Sequence, residues 1–364
     1  MSDAALERER LILRGVGLAG FVALAGAMTL TTLMPSLPAW LLYLPFLISV
    51  VLFGLPHGAV DHLVAAQLSG QRGKVRAIAG ICLVYLVVAL LVMGLWWLAP
   101  VFCGIGFLLL TLWHWGTGDL YWLMRRGAIK SDEISLAAAA VLLRGGVPVL
   151  LPFLFWPQAS MDVVRSLVGL FDSPIALPLA VPLTGQVVIG AAFVLVGSFY
   201  IYRKYAPKDN FRSSRSNHID LLELAALLVF FALTPPIFAV GIYFVFWHSL
   251  RHLARLLIFL EPGNKPSSPQ RVRIGRREVR ALAWNCLPMT LAAILLTLGL
   301  GLLVQAPGAQ AEQWLALYLV FISSVTVPHA LIVAWMDVHD AGAPIFSNSP
   351  TKISNLKGTE PCLN

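Results

Sequence analysis

The sequence predicts an all-α fold, a polytopic integral membrane bundle of about ten transmembrane helices. Three observations predict it. Mean hydropathy is +0.80. Charged residues are only 12% of the chain, against roughly 25% in an ordinary soluble domain. Apolar stretches of about 20 residues, the length that crosses a bilayer, recur from one end to the other. The formal net charge of +8 gathers mainly in the short segments between these stretches, so it marks topology and not a nucleic-acid-binding face.

Taken in order, the first span, 15–34, follows Arg8, Arg10 and Arg14 and stops at Pro35-Ser36-Leu37-Pro38. The second, 40–68, runs to the basic group at Arg72. The third, 77–98, and the fourth, 101–124, are parted by Pro100, and Arg125-Arg126 closes the latter. The fifth covers 134–156. Residues 157–185 hold four prolines and mix polar with apolar positions, which suits a surface loop with an interfacial helix. The sixth and seventh spans, 186–202 and 219–234, are short, and Pro235-Pro236 separates the seventh from the eighth, 237–260. Gln305-Ala306-Pro307-Gly308 divides the ninth, 281–304, from the tenth, 312–336. Residues 1–344 thus read as one transmembrane domain, and 345–364, rich in Ser, Asn, Pro and Gly, as a disordered cytoplasmic tail.

With an even number of spans both termini share a side. The loops of that side hold nearly all the loop Lys and Arg, whereas the opposite loops carry Arg165 alone. The positive-inside rule then puts both termini in the cytoplasm, in a multi-pass protein of the cell inner membrane. The four cysteines show no CxxC spacing and read as inert thiols.

Six of the eight histidines fall inside these apolar runs: His57, His62, His114, His248, His252 and His329. An imidazole in hydrocarbon is costly without a partner, so such residues mark function. His57 lies 15 residues before Arg72, His114 lies 11 before Arg125, and His248 and His252 lie 13 and 9 before Glu261. His329 lies eight before Asp337. At about 1.5 Å per residue, four helices bring imidazoles to one layer, roughly 12–22 Å from the cytoplasmic loops. Neutral imidazole is the commonest metal-binding side chain. His248 and His252, spaced i,i+4, share a helix face and suit a single ion. Asp61 has the same spacing from His57 and suits a carboxylate that orients a ligand imidazole; Asp119, after His114, suits the same role. His62 stands about 140° round the helix from His57 unless Pro56 and Gly58 distort it. Several imidazoles without cysteine fit Fe(II), Cu(II) or Zn(II). His218 and His339 lie at loop borders and read as interfacial. Trp113, Trp115 and Trp247, beside the histidines, are candidates to line a channel for an apolar substrate.

Four strings in the chain resemble the Brp/Blh-type β-carotene 15,15′-dioxygenase family. They are Gly-Leu-Pro-His-Gly-Ala-Val-Asp-His at 54–62, Trp113-His114-Trp115-Gly116 with Asp119 following, Phe-Trp-His-Ser-Leu-Arg-His at 246–252, and Val327-Pro328-His329. The resemblance spans roughly 45–340. It implies a membrane non-haem iron oxygenase that cleaves the central 15,15′ double bond of β-carotene, or a related carotenoid, with dioxygen to give two retinal. On that pattern Fe(II) is held by His57, His114, His248 and His252, with Asp61, His62, Asp119 and His329 close by. The product implies a functional link to a retinal-binding rhodopsin.

Rival readings make different demands. A metal or proton transporter lined by His and Asp needs polar residues through the full membrane thickness, and the non-cytoplasmic half is nearly bare of them. A retinal-binding photoreceptor needs an intramembrane lysine for a Schiff base, and all seven lysines read as loop or tail residues. A di-iron desaturase needs several HxxxH boxes, and only one pair exists.

Overall fold

A computed structural model describes residues 3–49, 52, 54–71, 74–171, 176–205, 215–260, 276–303 and 311–339. The tail expected at 345–364 lies outside them. The described residues are α-helical without strands. The helices are α1 (Asp3–Leu33), α2 (Ala39–Ile48), α3 (Gly54–Gly58), α4 (Asp61–Leu68), α5 (Val75–Leu98), α6 (Pro100–Arg125) and α7 (Ile134–Phe155). They continue with α8 (Pro157–Gly169), α9 (Leu183–Tyr205), α10 (Arg215–Leu233), α11 (Pro236–Tyr243), a π-helical turn (Phe244–Ser249), α12 (Leu250–Phe259), α13 (Arg276–Leu303) and α14 (Ala311–His339). Nine stretches among the described residues are long and apolar enough to cross a membrane, with α11, the π turn and α12 counting as one. The chain is therefore an all-α polytopic membrane bundle.

The second expected span, 40–68, is not one helix. It breaks into α2, α3 and α4. Pro45 and Pro56 each remove a backbone donor, and a Cβ on Gly54 would lie 2.6 Å from the Ser49 carbonyl oxygen. A side chain at position 54 would collide with that carbonyl, so the close approach of Gly54 to Ser49 requires glycine. The eighth span is also irregular, since the π turn interrupts it just where His248 sits. The sixth and seventh are longer than expected, at 23 and 19 residues. Lys204, assigned by sequence to a loop, belongs to the last turn of α9 and is buried.

Helix α7 runs through the middle of the bundle, whereas α5, α9 and α13 keep most of their apolar side chains, such as Leu90, Leu195 and Leu295, on the outside. In water that much exposed hydrocarbon would be a liability; in lipid it is the solvent-facing surface. Two glycines set the α6–α7 contact. A Cβ on Gly145 would sit 1.8 Å from the Leu112 carbonyl oxygen, and one on Gly116 would sit 2.3 Å from that of Val141. Small residues let membrane helices approach to backbone contact, where dispersion replaces the missing hydrophobic drive. That contact fixes the helix carrying His114.

Helices α5, α6, α7, α11, α13 and α14 surround a cavity of 1460 Å³, larger than the roughly 300–1,000 Å³ usual for small-molecule sites. On α6 its wall runs from Val101 to Trp115, and on α14 from Leu315 to His329. Both runs end at the histidines. The cavity therefore reaches from the histidine layer toward the helix ends at Pro100 and Ala311, away from the basic loops.

Candidate metal centre

Five histidines converge. His57 comes from α3, His114 from α6, His248 from the π turn, His252 from α12 and His329 from α14. All five are buried. Ring centres of His57 stand 5.6, 5.5 and 4.9 Å from those of His248, His252 and His329. His114 is 4.9 Å from both His248 and His329, and His252 is 5.2 Å from His329. An imidazole bound through nitrogen at about 2.1 Å puts neighbouring ring centres around one ion roughly 4.5–5.5 Å apart. The spacing fits a shared ion.

The nitrogens fit as well. Ligand atoms of His57, His114 and His248 lie within 4.8 Å of one another, and so do those of Asp61, His252 and His329. Both nitrogens of His114, and Nε2 of His248, His252 and His329, are buried with no hydrogen-bond partner among the described residues. Leaving so many buried polar atoms unpaired would cost about 1–3 kcal/mol each. A cation among them removes that cost. The residues present fit a histidine-bound metal.

The π turn is what presents His248. One extra residue in the turn widens the helix, and the segment is gripped from behind. Trp247 Nε1 donates to both Asp119 oxygens at 3.1 Å, and Arg251 Nη1 donates to Asp119 Oδ1 at 2.9 Å. The Arg251 guanidinium also stacks 3.9 Å from the centre of the Trp247 ring. Trp247 and Arg251 directly precede His248 and His252, so Asp119 acts on the segment that carries this pair. It makes no hydrogen bond to a histidine among those described, and in this respect differs from the carboxylate that the sequence suggests would orient a ligand imidazole. Asp61 likewise turns from His57 to His329, whose Nδ1 lies 2.7 Å from its Oδ2. His57 Nδ1 instead donates to the Gly54 carbonyl.

The other expected residues separate clearly. His62 is half-buried and lines the cavity outside the cluster. Trp115 lines the cavity with its ring 5.6 Å from that of His248. Trp247 packs behind the histidines against Phe21, and Trp113 is not among the described lining residues. His218 and His339 are exposed.

Sequence reasoning missed a buried charge network between the cluster and the basic loops. Glu223 accepts two bonds from Arg126 at 2.8 and 2.7 Å, and one from Arg251 at 3.0 Å. Arg144 reaches Glu223 at 3.4 Å and binds the Asp220 carboxylate, which also binds Lys204 and accepts from the Tyr200 hydroxyl at 2.6 Å. Lys204 is thereby engaged and away from the cavity wall. The signals that could have found it were Arg144 in the middle of the fifth expected span and Asp220 and Glu223 within the seventh, since charges inside a span need partners.

Fold and site together define a membrane protein with a histidine metal centre, in prospect, at the end of an apolar cavity. The profile of the β-carotene 15,15′-dioxygenase family matches residues 48–337. The chain is 34% identical over 296 residues to the probable β-carotene 15,15′-dioxygenase Blh of Halobacterium salinarum, covering 81% of this chain and 84% of that protein. It is 23% identical over 286 residues to the β-carotene 15,15′-dioxygenase of uncultured marine bacterium 66A03, across 78% and 90% of the two chains. To the probable β-carotene 15,15′-dioxygenase Brp of Halobacterium salinarum it is 24% identical over 319 residues, covering 80% of this chain and 82% of that protein. No solved structure matches. The chain belongs to the β-carotene 15,15′-dioxygenase family, and as a member it is a carotenoid-cleaving dioxygenase.

Proposed function

We propose that this protein cleaves the central 15,15′ double bond of β-carotene with dioxygen, giving two molecules of retinal, at a non-haem iron held by His57, His114, His248 and His252. The observation that carries the reading is the cluster of imidazoles, with buried and unpaired nitrogens on His114, His248, His252 and His329, at one end of a cavity walled mainly by apolar side chains. One dioxygen supplies one oxygen atom to each aldehyde, so the balance needs no outside reductant. Ferrous iron held by these imidazoles would overcome the spin barrier between dioxygen and a closed-shell alkene, with no net loss of electrons from the metal.

The chain supplies position and dryness. Leu108, Thr111 and Trp115 on α6, facing Val240 and Phe244, direct a long polyene to the histidines. The stack of Trp115 on Phe244, with ring centres 6.0 Å apart, offers a flat aromatic wall to a conjugated chain. Helix α8 adds Met161, Val164 and Leu167 to the cavity wall. Selection of one double bond then follows from how far the substrate enters before its end groups meet the wall, a positioning effect. The charge network closes the cytoplasmic side of the histidines, so water reaches them poorly. Substrate and product both partition into lipid, consistent with an inner-membrane enzyme whose termini face the cytoplasm and whose retinal serves a rhodopsin.

The transporter reading fits less well. Charged and imidazole groups gather at the histidine layer and in the charge network, and the wall beyond them is mainly hydrocarbon, broken only by scattered hydroxyls such as those of Ser160 and Tyr318. Expression in carotenoid-producing bacteria tests the proposal. Loss of colour with retinal accumulating in the extract is the expected result. Unchanged β-carotene beside folded, iron-loaded protein would overturn it.

A further inference from the structure

We infer that His329 is a fifth imidazole of the metal site, and that Asp61 and Tyr85 fix which of its nitrogens faces the metal. The inference rests on reading the cluster as a metal centre and adds a ligand arm from the last helix.

Three observations converge on it. First, His329 is as central as any other ring, with centres 4.9 Å from His57, 4.9 Å from His114 and 5.2 Å from His252. Second, its two nitrogens are in opposite situations. Nδ1 is 2.7 Å from Asp61 Oδ2, while Nε2 is buried with no hydrogen-bond partner among the described residues. A carboxylate accepts, so Nδ1 carries the proton and Nε2 presents a lone pair. That is the arrangement of a metal-binding histidine whose outer nitrogen is held by a carboxylate. Third, Asp61 is itself placed. The Tyr85 hydroxyl lies 3.3 Å from the same Oδ2 and donates to the Val325 carbonyl at 2.9 Å. The tyrosine ties α5 to the turn of α14 that precedes His329.

An ordinary structural His–Asp pair would account for Nδ1 and Asp61 and leave Nε2 without a purpose. It would also not explain why Nε2 is buried on a ring whose centre stands 4.9–5.2 Å from three other imidazoles. The fit around the pair is close. A Cβ on Gly58 would stand 3.5 Å from His329 Nδ1 and 3.7 Å from Asp61 Oδ2, so α3 is in contact with both.

The consequence is coordination number. A metal that takes six ligands would keep two positions for other ligands with four imidazoles and one with five. The carotenoid, an alkene without a donor atom, needs none of them and would be held by the cavity wall alone.

Cobalt(II) reports this directly, because its visible absorption strengthens as ligands are lost. Purified full-length protein would be loaded with cobalt(II) or ferrous iron, and its metal affinity and absorption compared with those of His329→Ala, His329→Gln, Asp61→Asn and Tyr85→Phe. The expected result is stronger cobalt absorption in both His329 variants, with added imidazole restoring the original spectrum of His329→Ala. Metal affinity should fall about 10–100-fold in Asp61→Asn, and less in Tyr85→Phe. A folded His329 variant with the original spectrum and affinity, beside a His248→Ala variant that has lost its metal, overturns the fifth ligand and leaves the metal centre standing. Wild-type protein that takes up neither metal overturns the metal centre itself. Should both His329 variants fail to fold, the Asp61→Asn affinity decides, and an unchanged value counts against the inference.

Discussion

Asp119 shows how one carboxylate controls a site it does not enter. It binds Trp247 and Arg251, each the immediate neighbour of a clustered histidine. Asp119→Asn keeps the shape and removes the charge, so Arg251 loses one of its two carboxylate partners and keeps Glu223, while the indole N–H retains an acceptor. Breaking a buried pair on one side typically costs about 3–5 kcal/mol; with Glu223 still in place the cost falls below that, divided between stability and the set of the π turn. The expected outcome is a protein that still inserts but holds iron more weakly. Metal titration of the folded variant should show the loss, and an unchanged affinity would confine Asp119 to a structural role. Sequence alone marks the carboxylate as a neighbour of the site that could orient a ligand imidazole, and does not show that its partners are Trp247 and Arg251. Five residues put Asp119 about 140° round α6 from His114, and only the packing of the π turn against α6 brings Trp247 and Arg251 to it.

Among the elements, the irregular ones carry the chemistry. Pro56 and Gly58 announced that the second span was open to distortion, and α3 is a five-residue fragment that sets His57 into the cluster. The π turn gave no such notice. Its sequence keeps the apolar pattern of an ordinary helix, and one extra residue in a turn changes no side-chain type. The charge network was equally hidden, since Glu223 meets Arg126 and Arg144 across 97 and 79 residues of sequence. Membrane-span length and histidine depth are short-range properties and were readable; partners across the bundle are not. The α6–α7 contact belongs to this scale. Gly145→Ala must push α7 away from the Leu112 carbonyl, and overpacking of this kind costs about 1–3 kcal/mol. Thermal unfolding in detergent should begin at a lower temperature than in the wild type. Gly94→Ala, where a Cβ meets nothing within 4 Å, should leave the transition in place. Equal effects in the two variants would count against a close backbone contact.

Across the whole molecule, a division of labour follows from where polar atoms are tolerated. Lipid takes the apolar outer faces of α5, α9 and α13, and the cavity offers a second apolar phase inside the bundle. Between that cavity and the basic loops lies a layer of imidazoles, then a layer of paired charges. Charges inside a membrane persist when paired, and here four cations (Arg126, Arg144, Arg251 and Lys204) face three carboxylates (Asp119, Asp220 and Glu223). The pairing holds α6, α7, α9, α10 and α12 together beneath the histidines, and so supports the convergence of the imidazoles that could hold a metal.

That convergence is most directly tested by counting iron. Protein purified without oxygen after ferrous loading should contain one iron per chain. His57→Ala, His114→Ala, His248→Ala and His252→Ala, each still inserted and folded, should each retain far less. A wild-type chain that emerges without iron, or four variants that all keep a full complement, would contradict a shared ion at this site.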